Sequence, residues 1–97
     1  MTTSEERRVA YLYLLRCSDD SLYCGWTVDL ERRLAAHASG RGARYTRGRL
    51  PVTVAAAWQT TDHGTARRLE VRVKRLPRPA KERLVAGSEL EGALRLS

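Results

Sequence analysis

The sequence predicts a small α/β domain, a three-stranded antiparallel or mixed sheet flanked by helices, in the order β-β-α-β-α-α. Three observations carry that prediction. Two apolar, β-prone runs, residues 9–15 and 22–26, are separated by the turn formers Cys17-Ser18-Asp19-Asp20-Ser21, which is the signature of a β-hairpin. A third such run covers residues 52–58. After the hairpin and after the third run the apolar residues recur every three or four positions, as helices require. Strands and helices mixed in this way pack as a layered α/β unit.

The elements follow in order. Residues 1–8, MTTSEERR, are polar and expected to fray. The first strand is apolar on both faces, which suits a central strand covered on both sides. A period of two puts Tyr11, Tyr13 and Leu15 on one face of it, and Tyr23 with Gly25 on one face of the second strand. Thr27 is the predicted N-cap of the first helix, with Asp29 and Glu31 in the first turn where the helix dipole favours acids. Leu30, Leu34 and Ala38 form its expected buried stripe, and Gly40 ends it. Asp29, Arg33 and His37 form a second stripe, one turn apart. Residues 40–50 make a Gly/Arg loop, and Pro51 leads into the third strand. Asp62 or Thr65 starts the second helix, which buries Ala66, Leu69, Val73 and Leu76 and stops at Pro77. Pro79 and Gly87 frame a short third helix with Leu84 and Val85 inward. The last ten residues look weakly helical. The domain is thus expected over residues 9–87, with a tail at 88–97.

Charge narrows the function. Eighteen Lys plus Arg face 11 Asp plus Glu, a net charge of +7 and a pI near 10.2, and 16 of the 18 are Arg. An Arg-favouring codon usage accounts for the Arg-to-Lys ratio but not for the excess over acids. Guanidinium forks match phosphate in a bidentate way, so the composition points to nucleic acid. The longest apolar run is seven residues, too short to span a membrane. Arg16 closes that run with no small-residue cleavage site after it, so no secretory signal fits. Two cysteines, Cys17 and Cys24, are too few for a disulfide scaffold or a zinc site and are expected to be reduced, in a cytoplasmic protein.

Several residues allow either a chemical or a structural role. Tyr13 and Tyr23 place two phenols on adjacent strands, though cross-strand aromatic packing is common. Gly25 either admits a close approach or eases the chain into the helix. Arg33 could stabilise charge on a phosphate or pair with Asp29 one turn earlier. His37 could donate to phosphate or shuttle a proton, or fill the core. His63, in a turn, is expected to be merely exposed. Glu70 is one of two acids among eight bases in residues 67–83, so it is either a carboxylate for a divalent cation or the partner of Lys74. Arg41, Arg44, Arg47 and Arg49, with Tyr45 among them and no acid nearby in sequence, favour nucleic-acid contact.

Taken together these residues resemble the GIY-YIG nuclease superfamily. Tyr11-Leu12-Tyr13 stands where that family has Gly-Ile-Tyr, and Tyr23-Cys24-Gly25 where it has Tyr-Ile-Gly. Arg33 and His37 follow Tyr23 by ten and fourteen residues. The segments 42–47 and 66–76, the second carrying Glu70, are similar to the small single-domain bacterial branch. The first Gly is Tyr11 here, Trp26 stands where the family's repair nuclease has Lys, and the Asn that some members carry after the metal-binding Glu has no match.

The resemblance implies a metal-dependent endonuclease that hydrolyses phosphodiester bonds in DNA, whether branched, damaged or single-stranded, with RNA as a further substrate. Tyr23 would be the general base, Tyr13 would position water or phosphate, and Arg33 would stabilise the developing charge. His37 would assist the phosphate or the proton, and Glu70 would bind one Mg²⁺ or Mn²⁺. Arg41, Arg44, Tyr45, Arg47, Arg49 and Lys74 would contact nucleic acid. A free phenol, with a pKa of about 10, is a weak base at neutral pH, and a nearby Arg and metal ion favour the phenolate. With no separate DNA-binding module, a protein partner would supply substrate specificity. The alternative is a nucleic-acid-binding module of the same fold without turnover.

Overall fold

The computed structural model describes residues 8–96; the expected fraying of the N-terminus falls on residues 1–7, outside that range. The chain forms β1 (Ala10–Arg16), β2 (Leu22–Thr27), α1 (Leu30–Ala38), α2 (Arg44–Arg47), β3 (Thr53–Thr60), α3 (His63–Lys74), α4 (Arg78–Ala86) and β4 (Leu94–Leu96). The strands make one antiparallel sheet in the order β2-β1-β3-β4.

β1 is central, as its two apolar faces require. Leu12 and Leu14 point into a core shared with Trp58, Leu69, Val73 and Leu84, so α3 and α4 cover that side. Tyr13 and Leu15 point the other way, against Leu30 and Leu34 of α1. The sheet therefore has helices on both faces. Tyr13 lies opposite Gly25 on β2 and Ala57 on β3, two small residues that leave room for its ring.

Four expectations need correction. The sheet has four strands, not three: Leu94–Leu96 lies in the segment expected to be helical. Arg95 explains its docking, since its guanidinium donates to the carbonyls of Leu84 and Val85 at 2.6 and 2.9 Å and lies over the Trp58 ring. Both carbonyls lie in the last turn of α4, where a helix runs short of its own donors; that of Leu84 also accepts from the Gly87 amide. The loop at 40–50 contains the short helix α2. The cap of α1 is Asp29, whose carboxylate accepts from the Arg32 amide, while Thr27 ends β2 and takes the Asp29 amide on its hydroxyl. Finally, the fully buried residue of α1 is His37, and Ala38 is exposed.

At the other end of the sheet Arg16 makes a two-pronged pair with Glu82, and Asp20 and Arg78 complete the cluster. It ties α4 to the β1–β2 turn. No described helix is long and apolar enough to cross a membrane.

Candidate active site

The site is built on the side of the sheet that α1 covers. Alternation places Tyr13 on β1 and Tyr23 on β2 toward α1, and the third turn of α1 brings His37 between them. The His37 ring lies 5.5 Å from each tyrosine ring, centroid to centroid. Its Nε2 is 2.9 Å from the Tyr13 hydroxyl, and its Nδ1 is 2.9 Å from Oγ1 of Thr46. Tyr13 is 1% exposed, and His37 and Thr46 are fully buried. Both imidazole nitrogens are thus engaged within the protein.

Two glycines make this packing possible. A Cβ on Gly25 would stand 2.6 Å from Cζ of Tyr13, and one on Gly42 would stand 2.8 Å from the backbone Cα of His37. Gly25 is therefore a close-approach position for a phenol.

Arg33, half-buried one turn before His37, sets the local electrostatics. Burial pushes the Tyr13 hydroxyl above the ordinary phenol value, and the Arg33 guanidinium beside it pulls back only part of that rise. Burial lowers the pKa of His37, and Arg33 lowers it further. At neutral pH the pair is a neutral phenol and a neutral imidazole. At Tyr13 desolvation of the charged form outweighs the one cation beside it.

Tyr23 is only half-buried. One neighbour is Tyr45 of α2, stacked at 5.7 Å and 25°, and Arg49 lies 3.9 Å over the Tyr45 ring. Another is Lys74 of α3, with Nζ 5.8 Å from the Tyr23 centroid and 3.7 Å from Oε1 of Glu70. Glu70 is close enough to β2 that its charge adds to the burial that pushes the Cys24 thiol up to about 12. Cys17 and Cys24 are both free and buried. Lys74 therefore reaches Tyr23 from α3, and Glu70 is its ion-pair partner.

Of the basic loop residues, Arg44 and Arg47 are exposed and make no ion pair among the described residues. Arg41 is exposed and donates to Ser39. Arg49 has a counter-charge that linear spacing hid: it pairs with Asp19 at 2.9 Å. Trp26 faces away from the tyrosines, against the α3 and α4 core. His63 is not merely exposed: it opens α3, its ring lies 5.5 Å from Trp26, and its Nε2 is buried without a partner among the described residues. Thr46 and Gly42 stand in the sequence only as part of the segment 42–47 that resembles the bacterial branch, with no role of their own.

No group of three or more metal-ligating side chains occurs among the described residues. The donor chemistry available is one carboxylate, Glu70, with 22% of its side chain exposed. That suits a hard divalent cation which keeps water and takes substrate phosphate oxygens, and does not suit zinc.

The GIY-YIG catalytic domain matches residues 9–83, and the chain belongs to that family. It is 46% identical over 89 residues to the UPF0213 protein BH0048 of Halalkalibacterium halodurans, covering 90% of this chain and 95% of that one. It is 45% identical over 84 residues to the UPF0213 protein YhbQ of Salmonella typhimurium, covering 87% and 84%. Among solved structures, the solution NMR structure of the UPF0213 protein BH0048 from Bacillus halodurans superposes with a TM-score of 0.54 at 46% identity, over 87% of this chain and 86% of that one.

Proposed function

We propose that this protein is a divalent-metal-dependent endonuclease that hydrolyses phosphodiester bonds in DNA. The observation that supports the reading is the convergence of Tyr13, Tyr23, His37 and Arg33 on one face, with Glu70 paired to the Lys74 that lies over Tyr23. A structural hairpin needs neither His37 nor Arg33 at that spot.

In this reading the phosphate lies over the half-buried Tyr23 and beside Arg33. Tyr23 is the general base, because its environment is more open than that of Tyr13 and is flanked by the Lys74 ammonium. Tyr13, locked to His37, orients rather than titrates. Arg33 supplies fixed positive charge where charge develops on the phosphoryl oxygens. Glu70 would hold one Mg²⁺ or Mn²⁺, which when bound stabilises the departing oxygen. Lys74 would then give up its contact with Glu70 and stay over Tyr23. Arg41, Arg44 and Arg47 lead the backbone toward the site, while Tyr45 and Arg49 hold the Tyr23 ring.

The test is a cleavage assay on duplex, single-stranded, flapped and four-way-junction DNA with Mg²⁺ or Mn²⁺, with wild type run beside Glu70→Ala and Tyr23→Phe. Cleavage lost in both variants while DNA binding persists supports the reading and names the preferred substrate. Binding without cleavage by the wild type under every condition sinks it, in favour of a binding module.

A further inference from the structure

Thr46 has no role in the chemistry above, yet it is as deeply buried as His37. It sits on α2, whose other side chains, Arg44, Tyr45 and Arg47, are all exposed. Its hydroxyl has two neighbours at 2.9 Å, Nδ1 of His37 and the carbonyl oxygen of Ala43. The second is the back-bond to i−3 that a helical threonine readily makes. The backbone at Gly42 closes against the same edge of the ring, where a Cβ would meet Cγ of His37 at 2.6 Å. Thr46 is therefore the group that reaches Nδ1.

Three hydrogens are shared along this chain: one on the phenol, one on the neutral imidazole and one on the threonine. In one direction each finds an acceptor. Tyr13 donates to Nε2, Nδ1–H donates to Oγ1 of Thr46, and Thr46 donates to the Ala43 carbonyl. In the opposite direction Thr46 donates to Nδ1, and Nε2–H donates to Tyr13. The phenol hydrogen is then left with no acceptor among the described residues. The neighbour it would meet is Arg33, which carries donors only. A buried hydrogen without a partner is costly, so the first direction is favoured.

We propose that Thr46 is a positioning residue that fixes His37 as the Nδ1–H tautomer and thereby makes Tyr13 a hydrogen-bond donor to His37. The consequence rests on the nuclease reading. With its hydrogen committed to Nε2, Tyr13 turns its lone pairs toward Arg33 and the substrate. On that side it can only accept a hydrogen and cannot donate one to a phosphate oxygen. The uncommitted alternatives for Tyr13, water or phosphate, are thus separated by a residue on a different element.

Long-range ¹⁵N–¹H correlation spectra of the two His37 ring nitrogens at neutral pH test this without any substrate. The expected result is protonated Nδ1 and unprotonated Nε2 in wild type and in Thr46→Ser, with a shift toward Nε2–H in Thr46→Val. Should the valine variant fail to fold, Tyr13→Phe decides, because Thr46 alone should still hold Nδ1–H there. An Nε2–H tautomer in wild type, an unchanged Nδ1–H tautomer in folded Thr46→Val, or a flip in Tyr13→Phe overturns the proposal. In the cleavage assay Thr46→Val should lower kcat about tenfold or more with little change in KM, and Thr46→Ser should restore it. Absence of cleavage by wild type would count against the nuclease reading alone, and the spectra would still decide the tautomer.

Discussion

The two faces of β1 are made from alternate residues of one seven-residue strand, and they are built on different principles. Leu12 and Leu14 enter a mainly aliphatic core with Trp58, Leu69, Val73 and Leu84 that holds no buried hydrogen bond between side chains among the described residues. Tyr13, one position away, is just as buried but is anchored by a chain of polar contacts through His37 to Thr46. The first face tolerates any packing that fills the volume. The second demands particular hydrogens in particular places, and such a network is costly unless it is complete. One face stabilises the fold, and the other holds the proposed site.

Substitutions should separate the two. The largest loss of stability is expected from Leu14→Ala, about 2–5 kcal/mol, because a cavity is left in a core that cannot collapse onto it; chemical denaturation measures it. Gly42→Ala comes next, at about 1–3 kcal/mol. There the added methyl meets the backbone of His37, which cannot swing aside, so the tyrosine face should also lose cleavage. Tyr13→Phe removes one hydroxyl and leaves the His37 Nε2 unpaired, for about 1–3 kcal/mol. Its loss of cleavage should exceed what that instability explains. A comparison of the rate with the folded fraction at the same temperature would show it.

Acid should act in two stages. His37 has a lowered pKa in the fold, so the unfolded chain takes up a proton that the folded one refuses. Stability is complete above the ordinary imidazole value of about 6.5 and declines as pH falls below it. Glu82, held low by hydrogen bonding to Arg16, and Asp62, held low by the Thr65 amide at the start of α3, contribute stability that is lost only below about 4.5. A pH series of thermal melts should therefore lose its upper limb in His37→Gln and keep the lower one. The smallest effect is expected from Glu82→Gln at neutral pH. The pair it breaks is partly exposed and screened by solvent, so the melting temperature should hardly move.

The same contrast decides what could be read from the sequence. The aliphatic face was legible, because periods of two and 3.6 fix β1, β2, β3, α1, α3 and α4 without reference to partners. The tyrosine face was legible only as a list of chemistry-bearing residues. Ala38 was expected inside α1 by its period, but His37 takes that place because hydrogen bonds at both nitrogens offset its burial. Thr46 lies in a stretch whose neighbours are all exposed, so no periodicity marks it as buried. β4 is three residues long, too short for alternation to register, and its position depends on Arg95 meeting carbonyls at the end of α4. Arg49 was grouped with uncompensated charge because Asp19 is thirty residues away in sequence.

The most direct test of the division between scaffold and site is the rate of Mg²⁺-dependent DNA cleavage per folded molecule in Tyr23→Phe and in Leu14→Val. The account predicts that Leu14→Val loses about 1 kcal/mol of stability and cleaves at the wild-type rate once corrected for folded fraction. Tyr23→Phe should melt near the wild-type temperature and cleave no DNA. Wild-type cleavage by folded Tyr23→Phe, or equal loss of cleavage per folded molecule in both variants, would contradict it.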